Sequence, residues 1–256
     1  MFWSVLGTVF AFLICVGVPV FFFIYFLVQK KGYLKSFLLG VGTFTLFQVI
    51  IRIPILQNVL PFQAWYMNLT NFYHPLFHAA FLALTAALFE EVGRFIVMKL
   101  CMKKQLRYGD GLAFGLGHGG IEALILVGTS TVTLLLYYAG ISPVFYYVGN
   151  FSVQAIELMP GESVNMFMGG LERMLTIPVH VAWSVMVLRG IAVGKSRYLF
   201  MAILTHFLVD FIIIALHGIY GVSTEMTEAL LAVVTVISVV YIIKSRNSFK
   251  QKTILN

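Results

Sequence analysis

The chain has 256 residues, 60% hydrophobic and only 11% charged, with a mean hydropathy of +0.95. That composition excludes a soluble globular domain and predicts an all-α polytopic membrane bundle, a single integral-membrane domain over residues 1–256. The net charge of +7 sits on basic residues at the ends of apolar runs, not on an interleaved basic and aromatic patch, so it reports topology and excludes nucleic acid as a partner.

Apolar runs close to the roughly 20 residues that span a bilayer fall at 3–28, 33–56, 73–99, 111–139, 172–189, 198–217 and 226–243. The first lacks a basic leader and is too long for a signal-peptide core, so it is read as a retained span. The fifth is the most interrupted, by Glu172, Arg173, Pro178 and His180. Cys15 and Cys101 fall in separate runs, expected to be too far apart to pair, and there is no CxxC metal motif.

Lys30, Lys31 and Lys35 separate the first two runs; Lys99, Lys103, Lys104 and Arg107 separate the third and fourth. Arg189, Lys195 and Arg197 separate the fifth and sixth, and Lys244, Arg246, Lys250 and Lys252 follow the seventh. Segments 57–71, 140–171 and 218–225 have no Lys or Arg. The alternation predicts seven spans with the N-terminus outside and the C-terminus cytosolic. Trp65, Tyr66, Tyr146 and Tyr147 then fall at the outer interface, and the long 140–171 loop lies on or dips into that face.

The third run carries Glu90, Glu91 and Arg94. Each such charge costs roughly 2.5 to 3.5 kcal/mol at the bilayer centre, so the cluster marks a functional site. Counting back from the cytosolic boundaries, Glu91, His118, His180 and His206 each lie about 12 to 14 Å deep, because each is eight or nine residues from its boundary at 1.5 Å per residue. Four helices thus present Glu or His at one level, within a site-bearing core over 73–217. Glu90 and Arg94, His118 and Glu122, and His206 and Asp210 are i, i+4 pairs that put a balancing or orienting group one turn away. Glu90 shares its face with Ala83, Ala86, Ala87 and Gly93 and is read as facing the site, with Glu91 behind it. Gly115, Gly117, Gly119 and Gly120 around His118 imply close backbone approach or substrate access, and a cytosol-facing cavity is expected beside them.

Glu-Glu-x-x-Arg at 90–94, Phe-x-x-x-His at 114–118, His180 with Trp183, and His-x-x-x-Asp at 206–210 together resemble the YhfC family of intramembrane proteases, part of the wider group of CAAX-prenyl and bacteriocin-processing proteases and the related PrsW proteins. The resemblance covers the third to sixth runs and implies a membrane protease of seven or eight helices in the plasma membrane of a bacterium, whose site is described both as a metal site and as a glutamate site. The CAAX-type motifs have one more residue between Glu-Glu and Arg, and Asn where this chain has Asp210.

Peptide hydrolysis needs an activated water, a stabilised oxyanion and a proton donor. In the glutamate reading Glu90 is the general base, His118 holds the water, His206 oriented by Asp210 stabilises the oxyanion, and His180 completes the site. In the metal reading His118, His180, His206 and Glu90 form a zinc shell. The absence of HExxH ranks the glutamate reading first. Glu122 is a supporting group of the site or a polar packing partner. The substrate expected is a membrane-associated or lipid-anchored peptide, with membrane lipid the other partner. A proton-coupled transporter or channel, or an inactive membrane-binding homologue, are the alternatives that the same array allows. Singly, His74, His78 and His217 read as packing groups, Arg52 as snorkelling or paired inside the bundle, and Glu157, Glu162, Glu225 and Glu228 as solvated charges.

Overall fold

The computed structural model describes residues 2–29, 32–70, 74–103, 106–141 and 162–253, and the side chains of 162–165, 248 and 250–253 fall outside the description. Among the described residues every element is helical. They are α1 (Phe2–Val28), α2 (Tyr33–Phe62), the short α3 (Ala64–Thr70), α4 (Pro75–Cys101), α5 (Tyr108–Tyr138), α6 (Glu162–Val193), α7 (Arg197–Ile219) and α8 (Thr224–Thr253). All but α3 and α4 are long and apolar enough to cross a membrane. The 27 residues of α4 give it a length of about 40 Å, and it corresponds to the run expected at 73–99. Of the 140–171 segment, residues 142–161, with Tyr146, Tyr147 and Glu157, lie outside the described residues.

α6 is the hub. It packs against α1, α4, α5, α7 and α8, and 67% of its apolar window is buried against 17 to 33% in the other spans. Its polar interruptions in sequence follow from that position: a helix enclosed by protein can carry Glu172, Arg173 and His180 where a lipid-facing helix cannot.

Prolines shape the helices locally. Pro19 and Pro54 each follow a stretch wound as a wider π-helix, Leu13–Gly17 and Thr45–Arg52. The wider turn absorbs the missing N–H and the clash that proline imposes on the preceding turn. α2 and α5 approach until backbones touch. An added Cβ on Gly40 would lie 2.0 Å from the Phe114 carbonyl oxygen, and one on Gly117 would lie 2.1 Å from that of Phe37. At the basic end the same two helices are joined by buried Asp110, which accepts from Ser36 Oγ at 2.9 Å and from Arg107 Nε at 2.8 Å. Cys15 is buried, Cys101 exposed, and both are free thiols.

Candidate active site

α4 is two-faced. Ala83, Ala86, Ala87, Glu90, Glu91, Gly93, Arg94 and Met98 are buried, while Leu84, Leu88 and Leu100 are exposed. The small residues let neighbours close in, so all three charges are taken out of lipid. Both carboxylates face protein, Glu90 toward α5 and α6 and Glu91 toward α7.

Arg94 ties the centre together. Its Nη2 donates to Glu90 Oε2 (3.2 Å) and to His180 Nδ1 (2.7 Å), and its Nη1 donates to Glu91 Oε1. Because a guanidinium only donates, His180 accepts through Nδ1, and its Nε2 faces Glu122 Oε2 at 2.7 Å. His118 Nε2 is 2.9 Å from Glu90 Oε2. His206 Nδ1 is 2.8 Å from Glu91 Oε1, its Nε2 is 3.4 Å from Asp210 Oδ2, and its ring stacks on Trp183 at 4.1 Å. Glu90, Glu91, Arg94, His118, Glu122, His180, His206 and Asp210 therefore form one connected network across α4, α5, α6 and α7.

Four of these groups converge as a candidate metal centre. Glu90, His118, Glu122 and His180 each offer one ligand atom, and those atoms lie within 4.8 Å of one another. Tetrahedral zinc with bonds of 2.0 to 2.1 Å needs ligand atoms about 3.3 Å apart, which small side-chain adjustments reach from here. Two further observations fit a cation. Glu122 Oε2 is buried without a hydrogen bond of proper geometry. The linked network also holds five carboxylates (Glu90, Glu91, Glu122, Glu172 and Asp210) against three guanidiniums (Arg52, Arg94 and Arg173), a surplus of negative groups that a cation would offset. The sequence-based set named His206 as the fourth group; in the structure Glu122 converges instead, while His206 is engaged by Glu91 and Asp210.

A cavity of about 200 Å³ reaches the network, lined by Glu90, Glu122, His180, His206 and Asp210. It continues along α6 from Trp183 to Glu172 and along α7 to Ile214, away from the basic helix ends. This corrects the expectation of a cytosol-facing cavity beside Gly115–Gly120. That stretch is filled: added Cβ atoms would meet Val181 Cα at 2.4 Å, Phe37 O at 2.1 Å, His180 Cβ at 3.2 Å and Pro19 Cβ at 3.2 Å. Those glycines serve backbone approach. A separate cleft at the basic end, lined by Phe95, Lys99, Lys195 and Leu199 among others, does not include the network residues.

Gln48, Arg52, Glu172 and Arg173 belong to the network without having been singled out for it. Gln48 Nε2 donates to Glu90 Oε1, and Arg52 Nη1 donates to Gln48 Oε1 at 3.0 Å while its Nη2 donates to the Leu82 carbonyl at 2.7 Å. Arg52 is thus paired inside the bundle. Arg173 Nη1 donates to Glu122 Oε1 at 2.7 Å and its Nη2 to Glu172. The i, i+4 spacing of Gln48 and Arg52 in an apolar run was the available signal. Glu228, expected to be solvated, is 8% exposed with Oε2 unpartnered among the described residues, because α8 lays it against α6. His78 (3.4 Å from the Tyr66 hydroxyl) and His217 (3.0 Å from the Val222 carbonyl) stay in local contacts, and the Glu162 side chain lies outside the described residues.

The family profile described as "YhfC intramembrane metalloprotease" matches residues 13–237. The chain is 32% identical over 211 residues to the "Uncharacterized membrane protein YhfC" of Bacillus subtilis (strain 168), covering 78% of each protein. No solved structure matches the chain.

Proposed function

The chain belongs to the YhfC intramembrane metalloprotease family, and from that premise we propose a zinc-dependent peptidase that hydrolyses a membrane-associated or lipid-anchored peptide. It crosses the membrane seven times with the N-terminus outside. The observation that carries the reading is the convergence of two imidazoles and two carboxylates from α4, α5 and α6 on one point. The glutamate-only mechanism ranked first on sequence is not supported by the family's description, whereas a metal-dependent one fits it. HExxH is missing for a geometric reason: that motif puts two histidines on one helix, and here each helix supplies one at most.

His118, His180 and Glu122 would hold the zinc, a His₂Glu set found in catalytic sites, with His180 binding through Nε2 in the tautomer that carries its proton on Nδ1 and releases Arg94. When bound, the ion polarises a carbonyl and lowers the pKa of a water. Glu90 accepts the proton of the attacking water through Oε2, with its other oxygen fixed by Gln48. Arg94 holds Glu90 and Glu91 in mutual register and balances part of their charge. His206, steadied by Glu91 and by stacking on Trp183, donates from Nε2 to the carbonyl oxygen as it gains charge. Asp210, at the cavity wall, orients that ring, and Glu90 passes the proton it took from the water to the departing amine. Water and substrate reach these groups along the cavity between α6 and α7.

The test uses purified protein in proteoliposomes with a quenched fluorogenic transmembrane peptide. Cleavage is expected from the wild type, to stop with a chelator, to return with zinc, and to be lost in Glu90→Gln and His206→Ala. Cleavage indifferent to the chelator refutes the metal; cleavage indifferent to both substitutions refutes the site.

A further inference from the structure

Arg173 is a buried cation that the chemistry above leaves unused. It is 7% exposed, lies on α6 seven residues before His180, and so sits two turns away on the same helix face. Both residues reach the same side chain on α5. Arg173 Nη1 takes Glu122 Oε1 at 2.7 Å, and His180 Nε2 faces Glu122 Oε2 at 2.7 Å. One helix therefore approaches both oxygens of this carboxylate and hydrogen-bonds it at Oε1. With Oε1 occupied, Glu122 has a single oxygen to offer the cluster, and that Oε2 is buried without a hydrogen bond. Glu172 completes the arrangement from the cavity wall by holding the other branch of the guanidinium.

From this geometry we infer that Arg173 is a positioning residue of the metal centre: it clamps Glu122 Oε1 so that Oε2 alone is presented as the ligand, and it rests on the zinc reading given above. The planar guanidinium is what the task requires. It bonds Glu122 and Glu172 simultaneously at fixed directions, which an ammonium, a point charge on a flexible stem, cannot reproduce. The charge of Arg173 acts the other way, since a cation near the site repels a metal ion. The informative substitution therefore keeps the charge and removes the fork.

That substitution is Arg173→Lys, measured by titrating purified protein in detergent with Co²⁺ and following its d–d absorption, a readout that requires no substrate. The wild type is expected to bind one equivalent; Arg173→Lys is expected to bind roughly tenfold to a hundredfold more weakly, as for other outer-shell partners of metal ligands, with shifted d–d bands. Arg173→Gln serves as a second variant should Lys fail to fold by thermal denaturation, with the same band shift expected. Wild-type affinity and bands in a folded Arg173 variant, with Glu122→Gln weakened, overturn the inference alone. A wild type that binds no Co²⁺ overturns the zinc reading and the inference with it.

Discussion

Replacing Gln48 by Leu removes one donor from the centre and little else. Gln48 is 4% exposed on α2, and its amide orientation is set by Arg52, whose Nη1 donates to Oε1 and so turns the Nε2 donor to Glu90. Leucine fills similar space but leaves Glu90 Oε1 buried without that partner. A hydrogen bond to a charged group contributes about 1.5 to 3 kcal/mol. Arg52 keeps Thr85 at 3.2 Å and the Leu82 carbonyl at 2.7 Å, and the leucine gains some apolar burial, so the net loss should fall near the lower bound, about 1.5 kcal/mol. Denaturant unfolding in mixed micelles measures it, in a cycle with Glu90→Gln. The two changes should couple by at least about 1 kcal/mol, because they remove the same contact. A Gln48→Leu protein within about 0.5 kcal/mol of wild type, or a strictly additive cycle, would refute the account of how α2 supports the site.

Metal analysis should separate the two histidine sets: His118→Ala and Glu122→Gln should lose bound zinc, while His206→Ala should keep it and lose peptide cleavage. Gly117→Ala should destabilise the bundle by about 1 to 3 kcal/mol, since its Cβ meets the Phe37 carbonyl oxygen at 2.1 Å; Gly42→Ala, with nothing within 4 Å, should be neutral or stabilising by up to about 1 kcal/mol in the same unfolding assay. Asp110→Ala should cost about 2 kcal/mol, at the upper end for a lost helix-terminal side-chain contact, because the carboxylate is fully buried and joins Ser36 of α2 to Arg107; an unfolding midpoint equal to wild type would show that this link is unimportant.

Much of the helix layout was legible because hydropathy and the placement of Lys and Arg are written linearly. The six apolar spans match six expected runs to within a few residues at most ends. The common depth of Glu91, His118, His180 and His206 could be counted along each helix, and all four belong to one connected network. What counting cannot give is rotation. Glu122 and His206 are each one step from His180, and the angle at which α5 and α7 face α6 decides which of them joins the cluster. Rotation likewise sent the cavity toward Glu172 and Ile214 and filled the space beside Gly115–Gly120. Gln48 and Arg173 were missed because a lone amide or cation in an apolar run acquires meaning only from partners on another helix.

The central place of α6 bears on how the protein is made. Of the six apolar spans it has the lowest hydropathy, 1.5 against 1.7 to 2.7, and the largest buried share. Leaving the translocon alone, it would expose Arg173 and His180 to acyl chains. α1, α4 and α5 emerge from the ribosome first and already offer walls for three of its sides, with Glu122 waiting as a counter-charge. Biogenesis is thereby coupled to the buried network: the residues that equip α6 for the proposed site favour its insertion against a half-built protein over insertion into lipid.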